Sequence, residues 1–331
     1  MKSRWLRIFL TTALLGLIAL LTWVAVIGSD ATLSPKRRNV ADWHREILNH
    51  QEQHGLAVSQ HNARNGTPYL ICQPSVAAAG KKSMELRDAL ASRGTRLAPW
   101  GTIRGTIILL HGHKGCKEDH LPICERFCAA GFRCVCLDLP GHGQNPAPHA
   151  TFGHKEIALL KQLWEEIQQA HADMQGPMAL FGVSQGGAIA LQAAAEKDWS
   201  VAAVASVAAF ASLDQPIATS ADHLPAYVRG IKPLATRACG LGIYCRSGFF
   251  PHQISPLRAA SHIDCPAFLC HGQQDNFIPH DAAIRMHAAI PHTNKHLRLI
   301  DGAKHHNVLA IGSTELYADI CEFFLLAMAR P

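Results

Sequence analysis

The sequence predicts an α/β protein whose mostly parallel sheet is covered by helices on both faces, and three observations carry that prediction. From residue 106 onward, short and predominantly apolar runs recur at 106–110, 133–139, 178–181, 201–209, 267–270 and 297–300. A strand with one wet face alternates apolar and polar residues, whereas an unbroken apolar run is wet on neither face, as a sheet sandwiched between helices requires. Between several of these runs lie stretches with apolar residues at helical spacing. The clearest is 155–170, where Ile157, Leu160, Leu163, Trp164 and Ile167 share one face. The third observation is a junction. The run at 178–181 passes through Gly182-Val183-Ser184-Gln185-Gly186-Gly187 directly into an alanine-rich helix, a sharp strand-to-helix turn.

Composition agrees with a folded chain. Of 331 residues, 48% are hydrophobic and 17% charged, enough apolar material for a sizeable core. The formal charge of +6 is dispersed, with no basic run longer than Lys36-Arg37-Arg38 and no interleaved aromatics, which excludes a nucleic-acid-binding class. The 21 histidines include His111/His113 and His305/His306, but no His, Cys and acid group has ligand spacing on a recognisable helix, so neither metal nor cofactor is expected. Among the 11 cysteines, Cys134, Cys136 and Cys270 lie in apolar runs and read as small buried hydrophobes. Cys239 and Cys245 bracket Gly-Leu-Gly-Ile-Tyr, and a disulfide between them stays open for a domain outside the cytoplasm.

In chain order, Lys2, Arg4 and Arg7 precede an uncharged, leucine-rich stretch at 8–27, long enough to cross a bilayer. A cleaved signal has a shorter apolar core of about 7–15 residues, so 1–28 is expected to be a retained membrane anchor. The alternative is cleavage at Ser29-Asp30-Ala31. Basic residues on both flanks leave a slight bias to an internal N-terminus and an extracytoplasmic domain, against which the many cysteines pull. Residues 29–55 read as a linker with one short helix around Trp43 and Ile47. At 56–61 and 67–72, two strands flank Asn62-Ala63-Arg64-Asn65-Gly66, a hairpin that opens the main domain, 56–331. A helix is expected at 84–91, a strand at 106–110, a helix at 117–130 and a strand at 133–139. After the strand at 201–209, residues 211–264 carry five prolines and read as loops and short helices. A strand at 267–270, a helix at 281–290, a strand at 297–300 and a helix from 316 complete the chain.

The chemistry centres on Ser184. At a sharp turn its Oγ stands above the sheet, and the following helix aims its N-terminal N–H groups at the same place. Nucleophilic attack by a serine needs a base, an acid that orients the base, and donors for an oxyanion. Such groups belong at the C-terminal ends of strands. Cys270-His271-Gly272-Gln273-Gln274-Asp275 offers Asp275, and Asp301-Gly302-Ala303-Lys304-His305 offers His305. Leu110-His111-Gly112-His113 offers the backbone N–H of His113, to pair with that of Gln185. Asp214 rivals Asp275, which on the other reading caps a helix; His306 rivals His305. Asp301, His111, Asp138, His142 and His271 read as turn and packing residues. Lys114 is either a solvated loop charge or a group that favours anionic substrates.

Together, five blocks make the chain from about residue 56 resemble an α/β hydrolase. They are His111-Gly112, Asp138-Leu139-Pro140-Gly141-His142-Gly143, Gly182-Val183-Ser184-Gln185-Gly186-Gly187, His271-Gly272-Gln273-Gln274-Asp275 and Gly302-Ala303-Lys304-His305. Within that superfamily the chain is similar to the serine aminopeptidase and monoglyceride-lipase-like branch and to membrane-anchored hydrolases. The resemblance implies Ser184 as nucleophile, His305 as base, Asp275 as orienting carboxylate, and His113 and Gln185 as backbone donors, with no cofactor. It also implies a small cap at 211–264, whose apolar residues, among them Leu224, Tyr227, Val228, Leu241 and Phe249, either line an acyl pocket or pack the cap down. The substrate implied is a small-molecule carboxylic ester, including a lipid ester reached from a membrane. Peptide hydrolysis at an N-terminal residue is the alternative, for which the cap offers only Asp214, Asp222 and Asp264 as partners of an ammonium group. A non-catalytic binding protein on the same scaffold is the third reading. The turn His111-Gly112-His113-Lys114-Gly115 departs from many lipases, which carry more glycine there.

Overall fold

The structure is a computed structural model and describes residues 2–76, 79–222 and 226–329. An eight-stranded sheet runs through it: β1 (Leu56–Asn62), β2 (Pro68–Pro74), β3 (Gly105–Leu110), β4 (Phe132–Leu137), β5 (Met178–Val183), β6 (Ala203–Val207), β7 (Ala267–Gly272) and β8 (Lys295–Ile300). Spatial order is β1-β2-β4-β3-β5-β6-β7-β8, with β2 antiparallel to both β1 and β4 and all later neighbours parallel. Every residue of β3, β4, β6 and β7 is buried, which is why those runs are largely apolar, with Thr106, Arg133, Ser206 and His271 as buried polar exceptions. Successive residues serve opposite faces: Ile108, Leu110, Leu180 and Val204 enter one core, while Ile107, Leu109, Phe181 and Ala205 enter the other.

The first core is covered by α5 (Glu156–Ala170) and α6 (Gln185–Ala194), with α10 (Pro256–Ala260) and α11 (Asp281–Ala289) beside them. The second is covered by α3 (Lys81–Ser92), α4 (Leu121–Ala129) and α12 (Val308–Met328), with α2 (Asp42–Asn49) at its margin. The closing helix thus begins at Val308, before the expected 316, and it is kinked at Ser313, whose φ of 51° breaks the periodicity that would have revealed its first turns. Over the C-terminal ends of the strands lie α7 (Asp214–Asp222), α8 (Ala226–Arg229) and α9 (Lys232–Ser247). Leu224 falls outside the described residues, as do the side chains of Tyr227 and Val228.

The expected boundary between anchor and linker at residue 28 falls inside a helix. One continuous helix, α1 (Lys2–Leu33), runs through the boundary at 28, and its last turns belong to the body. Val24 and Leu33 are buried in the first core, and α1 crosses α9 at close range. A Cβ on Gly242 would stand 2.1 Å from the Ala25 carbonyl oxygen, and one on Gly28 would stand 3.0 Å from Cys239 Sγ, so small residues set the approach. Asp30 and Arg246 close the crossing with an ion pair of 2.8 Å. Towards the N-terminus, Trp5, Phe9, Leu14 and Leu15 are exposed, on a helix long and apolar enough to cross a membrane.

The open question of Cys239 and Cys245 is answered by the same helix. Both thiols are free. The stretch between them is helical rather than looped, and six residues of α-helix turn the two side chains to different faces: Cys239 is buried against α1 and Cys245 is exposed.

Candidate active site

Ser184 sits between β5 and α6 with φ 53° and ψ −113°, a conformation that L-residues rarely adopt. Its neighbours must be glycine. A Cβ on Gly182 would lie 2.2 Å from the Gly186 carbonyl group, and one on Gly186 would lie 1.9 Å from the Leu110 carbonyl oxygen. The Ser184 N–H donates to the Val207 carbonyl at 2.7 Å, which ties the turn to β6.

Ser184 Oγ lies 2.9 Å from His305 Nε2, and His305 Nδ1 lies 2.7 Å from Asp275 Oδ2. Asp275 enters from the turn after β7 and His305 from the turn after β8, so two adjacent parallel strands deliver them to the same side of the elbow. An ionised Asp275 accepts only, which places the His305 proton on Nδ1 and leaves Nε2 bare to accept the Ser184 hydroxyl proton. The edge of His305 faces the Phe277 ring at 5.1 Å.

Asp275 is saturated with donors. Its Oδ1 accepts the backbone N–H groups of Phe277 at 2.9 Å and Ile278 at 2.8 Å, and its Oδ2 is shared by His305 and by His271 Nε2 at 3.1 Å. Burial by itself would raise this carboxyl, but the hydrogen bonds from His271, His305 and the backbone outweigh it, and the group is held well below the usual carboxylate range. Asp275 does not cap a helix, because α11 begins at Asp281 with His280 at its N-cap; its Oδ1 closes the turn at Phe277 and Ile278, and its Oδ2 is left to the imidazoles. His271 Nε2 also meets the Ile278 carbonyl at 2.9 Å, so that nitrogen carries a proton, and the ring that reads as a packing residue in the sequence holds Asp275 in place.

Of the rivals, Asp214 opens α7 with its carboxylate 3.3 Å from Ser212 Oγ, and Asp301 accepts from Gln274 Nε2. His306 stands beside His305 with ring centroids 4.9 Å apart, while its neighbour takes the bond to Ser184. Gln185 is the first residue of α6, directly after Ser184, so its N–H has no intrahelical acceptor. The His113 side chain turns away from that place: Nδ1 lies 2.9 Å from Gln185 Oε1 and Nε2 3.4 Å from the Ala31 carbonyl of α1. Burial lowers its pKa, against the hydrogen bonds to Gln185 and Ala31. The bulk at this turn is therefore folded into the wall instead of filling the space above Ser184.

A cavity of about 640 Å³ opens over Ser184 and His305. Its lining is apolar: Phe152, Phe210, Leu213, Ile217 and Leu309, with Trp23, Val24, Ile27 and Ala31 contributed by α1. Among the described residues no carboxylate lines it, and Lys114, which adopts a φ of 65°, is the one charged side chain at its rim. Leu241, Tyr244 and Phe249 of the cap are not among its walls; Phe249 is buried beneath the cap, and Leu241 and Tyr244 face outward. Away from the cavity, the thiols of Cys72, Cys124 and Cys136 lie within 4.8 Å of one another in the second core, as do the donor atoms of His44, Cys116 and Asp119.

The profile of the serine aminopeptidase family matches residues 101–239, the stretch that includes the elbow. A putative 2-succinyl-6-hydroxy-2,4-cyclohexadiene-1-carboxylate synthase of Haemophilus influenzae is 39% identical over 85 residues, a match that spans 26% of this chain and 32% of that protein. The chain is thus matched to about a third of the length of this curated relative. An esterase of Pyrococcus furiosus superposes with a TM-score of 0.63 at 16% identity, covering 89% of this chain and 99% of its own. A monoacylglycerol lipase of Paleococcus ferrophilus gives 0.51 at 17% identity over 68% of this chain and 96% of its own. A membrane phospholipase A described as a bacterial virulence factor gives 0.51 at 16% identity over 96% of this chain and 98% of its own. At such identities the likeness is one of fold.

Proposed function

We propose that the chain, which has the α/β-hydrolase fold, is a serine hydrolase of carboxylic esters. The observation that carries the reading is the unbroken contact from Ser184 Oγ through His305 to Asp275, at 2.9 and 2.7 Å, at the floor of an apolar cavity. His305 Nε2 takes the hydroxyl proton as Oγ attacks the acyl carbon. The oxyanion so formed accepts from the N–H groups of Gln185 and His113. His305 then gives the proton to the departing alcohol as the C–O bond breaks, and water repeats both steps on the acyl-enzyme. Asp275 supports the imidazolium at each stage, and His271 fixes Asp275.

An ester is favoured over an aminopeptidase substrate by the walls. A free α-ammonium group needs a carboxylate partner when desolvated, and among the described residues the cavity offers none. The named activities of the esterase and lipase neighbours accord with this choice. We also assign α1 as a retained anchor: cleavage at residues 29–31 would strip Val24 from the core and remove four apolar residues from the cavity wall.

The test is labelling with a fluorophosphonate, followed by turnover of acyl esters and aminoacyl amides on the full chain. Labelling of the parent that disappears in Ser184→Ala, with esters turned over faster than amides, is the expected result. Faster cleavage of amides would overturn the substrate class, and labelling that survives the substitution would overturn the nucleophile.

A further inference from the structure

The N-terminal helix carries features that a simple tether does not need. Trp23, Val24, Ile27, Gly28, Ala31 and Thr32 all line the cavity over Ser184, and their spacing puts them on one face of α1. That face is about 13 Å long at ~1.5 Å per residue. Its inner end is fixed beside the reaction centre, because the Ala31 carbonyl lies 3.4 Å from Nε2 of His113, which lines the same cavity as Ser184. Its outer end, Trp23 and Ile27, is about half exposed.

The other relevant observation is the level of the bilayer along the same helix. No charged residue occurs between Arg7 and Asp30, and Trp5 and Trp23, both more than half exposed, stand at the two ends of the apolar stretch. Eighteen residues of helix separate them by about 27 Å, against a hydrocarbon thickness of about 30 Å, and tryptophan favours the two interfaces. With an interface at Trp23, the lip of the cavity and the anchor are the same residue, and the cavity mouth opens at headgroup level.

Resting on the serine-hydrolase reading above, we propose that α1 is the acyl-binding wall of the site: a long-chain ester resident in the membrane slides its hydrocarbon chain along the Trp23-to-Ala31 face and presents its carbonyl to Ser184 without crossing water. The walls fit that occupant. A hydrocarbon chain needs apolar contact and no partner for a charge, and the rim places Lys114 where a lipid's anionic headgroup group would lie once the chain is inside. The reaction is unchanged by this route, since the same ester bond is cleaved and water remains the second substrate. What the route adds is selectivity for chain length, read by a segment that precedes the hydrolase domain in sequence.

The experiment uses the full chain in phosphatidylcholine vesicles and a hexadecyl fluorophosphonate bearing a diazirine near the end of its alkyl chain. After attachment to Ser184 and irradiation, peptide mass spectrometry is expected to place the crosslink within residues 23–31. Crosslinks confined to α7, α9 or the loops, with none on α1, overturn the inference while leaving the hydrolase reading intact; absence of attachment at Ser184 overturns both. In parallel, Ile27→Trp, which obstructs the face, and Trp23→Ala, which truncates an exposed lip and so spares the core, are each expected to lower the ratio of kcat/KM for a palmitoyl over a butyryl ester by about tenfold or more. Equal losses on the two esters would mean that α1 does not touch the chain.

Discussion

Replacing Asp275 by asparagine changes almost no volume and puts a donor where one oxygen accepts two hydrogen bonds. The asparagine carbonyl can retain the two backbone N–H donors now held by Oδ1, those of Phe277 and Ile278 at 2.9 and 2.8 Å. Its NH₂ then occupies the place of Oδ2, where it meets two further donors, His305 Nδ1 and His271 Nε2, at 2.7 and 3.1 Å. Donor cannot bond donor, so His305 moves its proton to Nε2 and no longer accepts from Ser184. A wrong tautomer of this kind lowers kcat by about 10⁴, equivalent to ~5.4 kcal/mol of transition-state stabilisation. The same substitution alters acid stability. The Asp275 carboxyl is held below the value of about 4 that it has in an unfolded chain, so its contribution to stability is complete above that pH and fades as the pH falls through the folded value. Asparagine lacks that proton-linked increment. The assays are kcat on a butyryl ester near neutral pH and denaturant unfolding followed from about pH 7 to pH 3. A folded variant within about tenfold of the parent's kcat, or one with the same acid limb of stability, refutes the assignment of this carboxylate to His305.

Three further outcomes test neighbouring links. His271→Ala removes a buried donor to a charged oxygen and is expected to lower kcat by about tenfold to a hundredfold, with His271→Gln, which can still donate, recovering much of it; equal activity in both variants would remove the positioning role. Gly186→Ala places a Cβ 1.9 Å from the Leu110 carbonyl oxygen, a clash between two backbones that neither can relieve, so the folded yield is expected to collapse at a cost above ~3 kcal/mol. Arg246→Ala breaks a partly exposed ion pair with Asp30 worth under ~1 kcal/mol and should barely move Tm, whereas Gly242→Leu, directed at the Ala25 carbonyl 2.1 Å away, should separate α1 from α9 and lower Tm by several degrees in calorimetry.

The strands were legible because β3 to β7 lie between two apolar layers, so nearly every side chain in them had to be apolar whichever way it pointed. Ser184, Asp275 and His305 were legible for a related reason: each stands in a glycine-containing turn just past a strand, buried for β5 and β7 and at the sheet edge for β8, and parallel strands bring such turns to one edge. What stayed hidden were choices made between elements. Residues 23–32 have the same apolar and small-residue composition whether they face lipid or protein, so nothing local distinguished a membrane span from a cavity wall. Gly240 and Gly242 suggested a loop between Cys239 and Cys245, since glycine weakens an isolated helix, but the crossing with α1 requires a glycine at 242 and tertiary contact overrides propensity. His271 was read as packing because its partner lies one turn away across a change of backbone direction, where no periodicity applies.

The crossing of α1 with α9 also bears on the order of assembly. The ribosome releases the first helix some two hundred residues before the helix on which it rests. At ~5–20 residues per second, that leaves Ala25 and Gly28 without their neighbour for about 10–40 s. Throughout that interval the small-residue groove must be solvated by lipid tails or held by a chaperone, and nascent chains stalled before residue 232 should present it to either one.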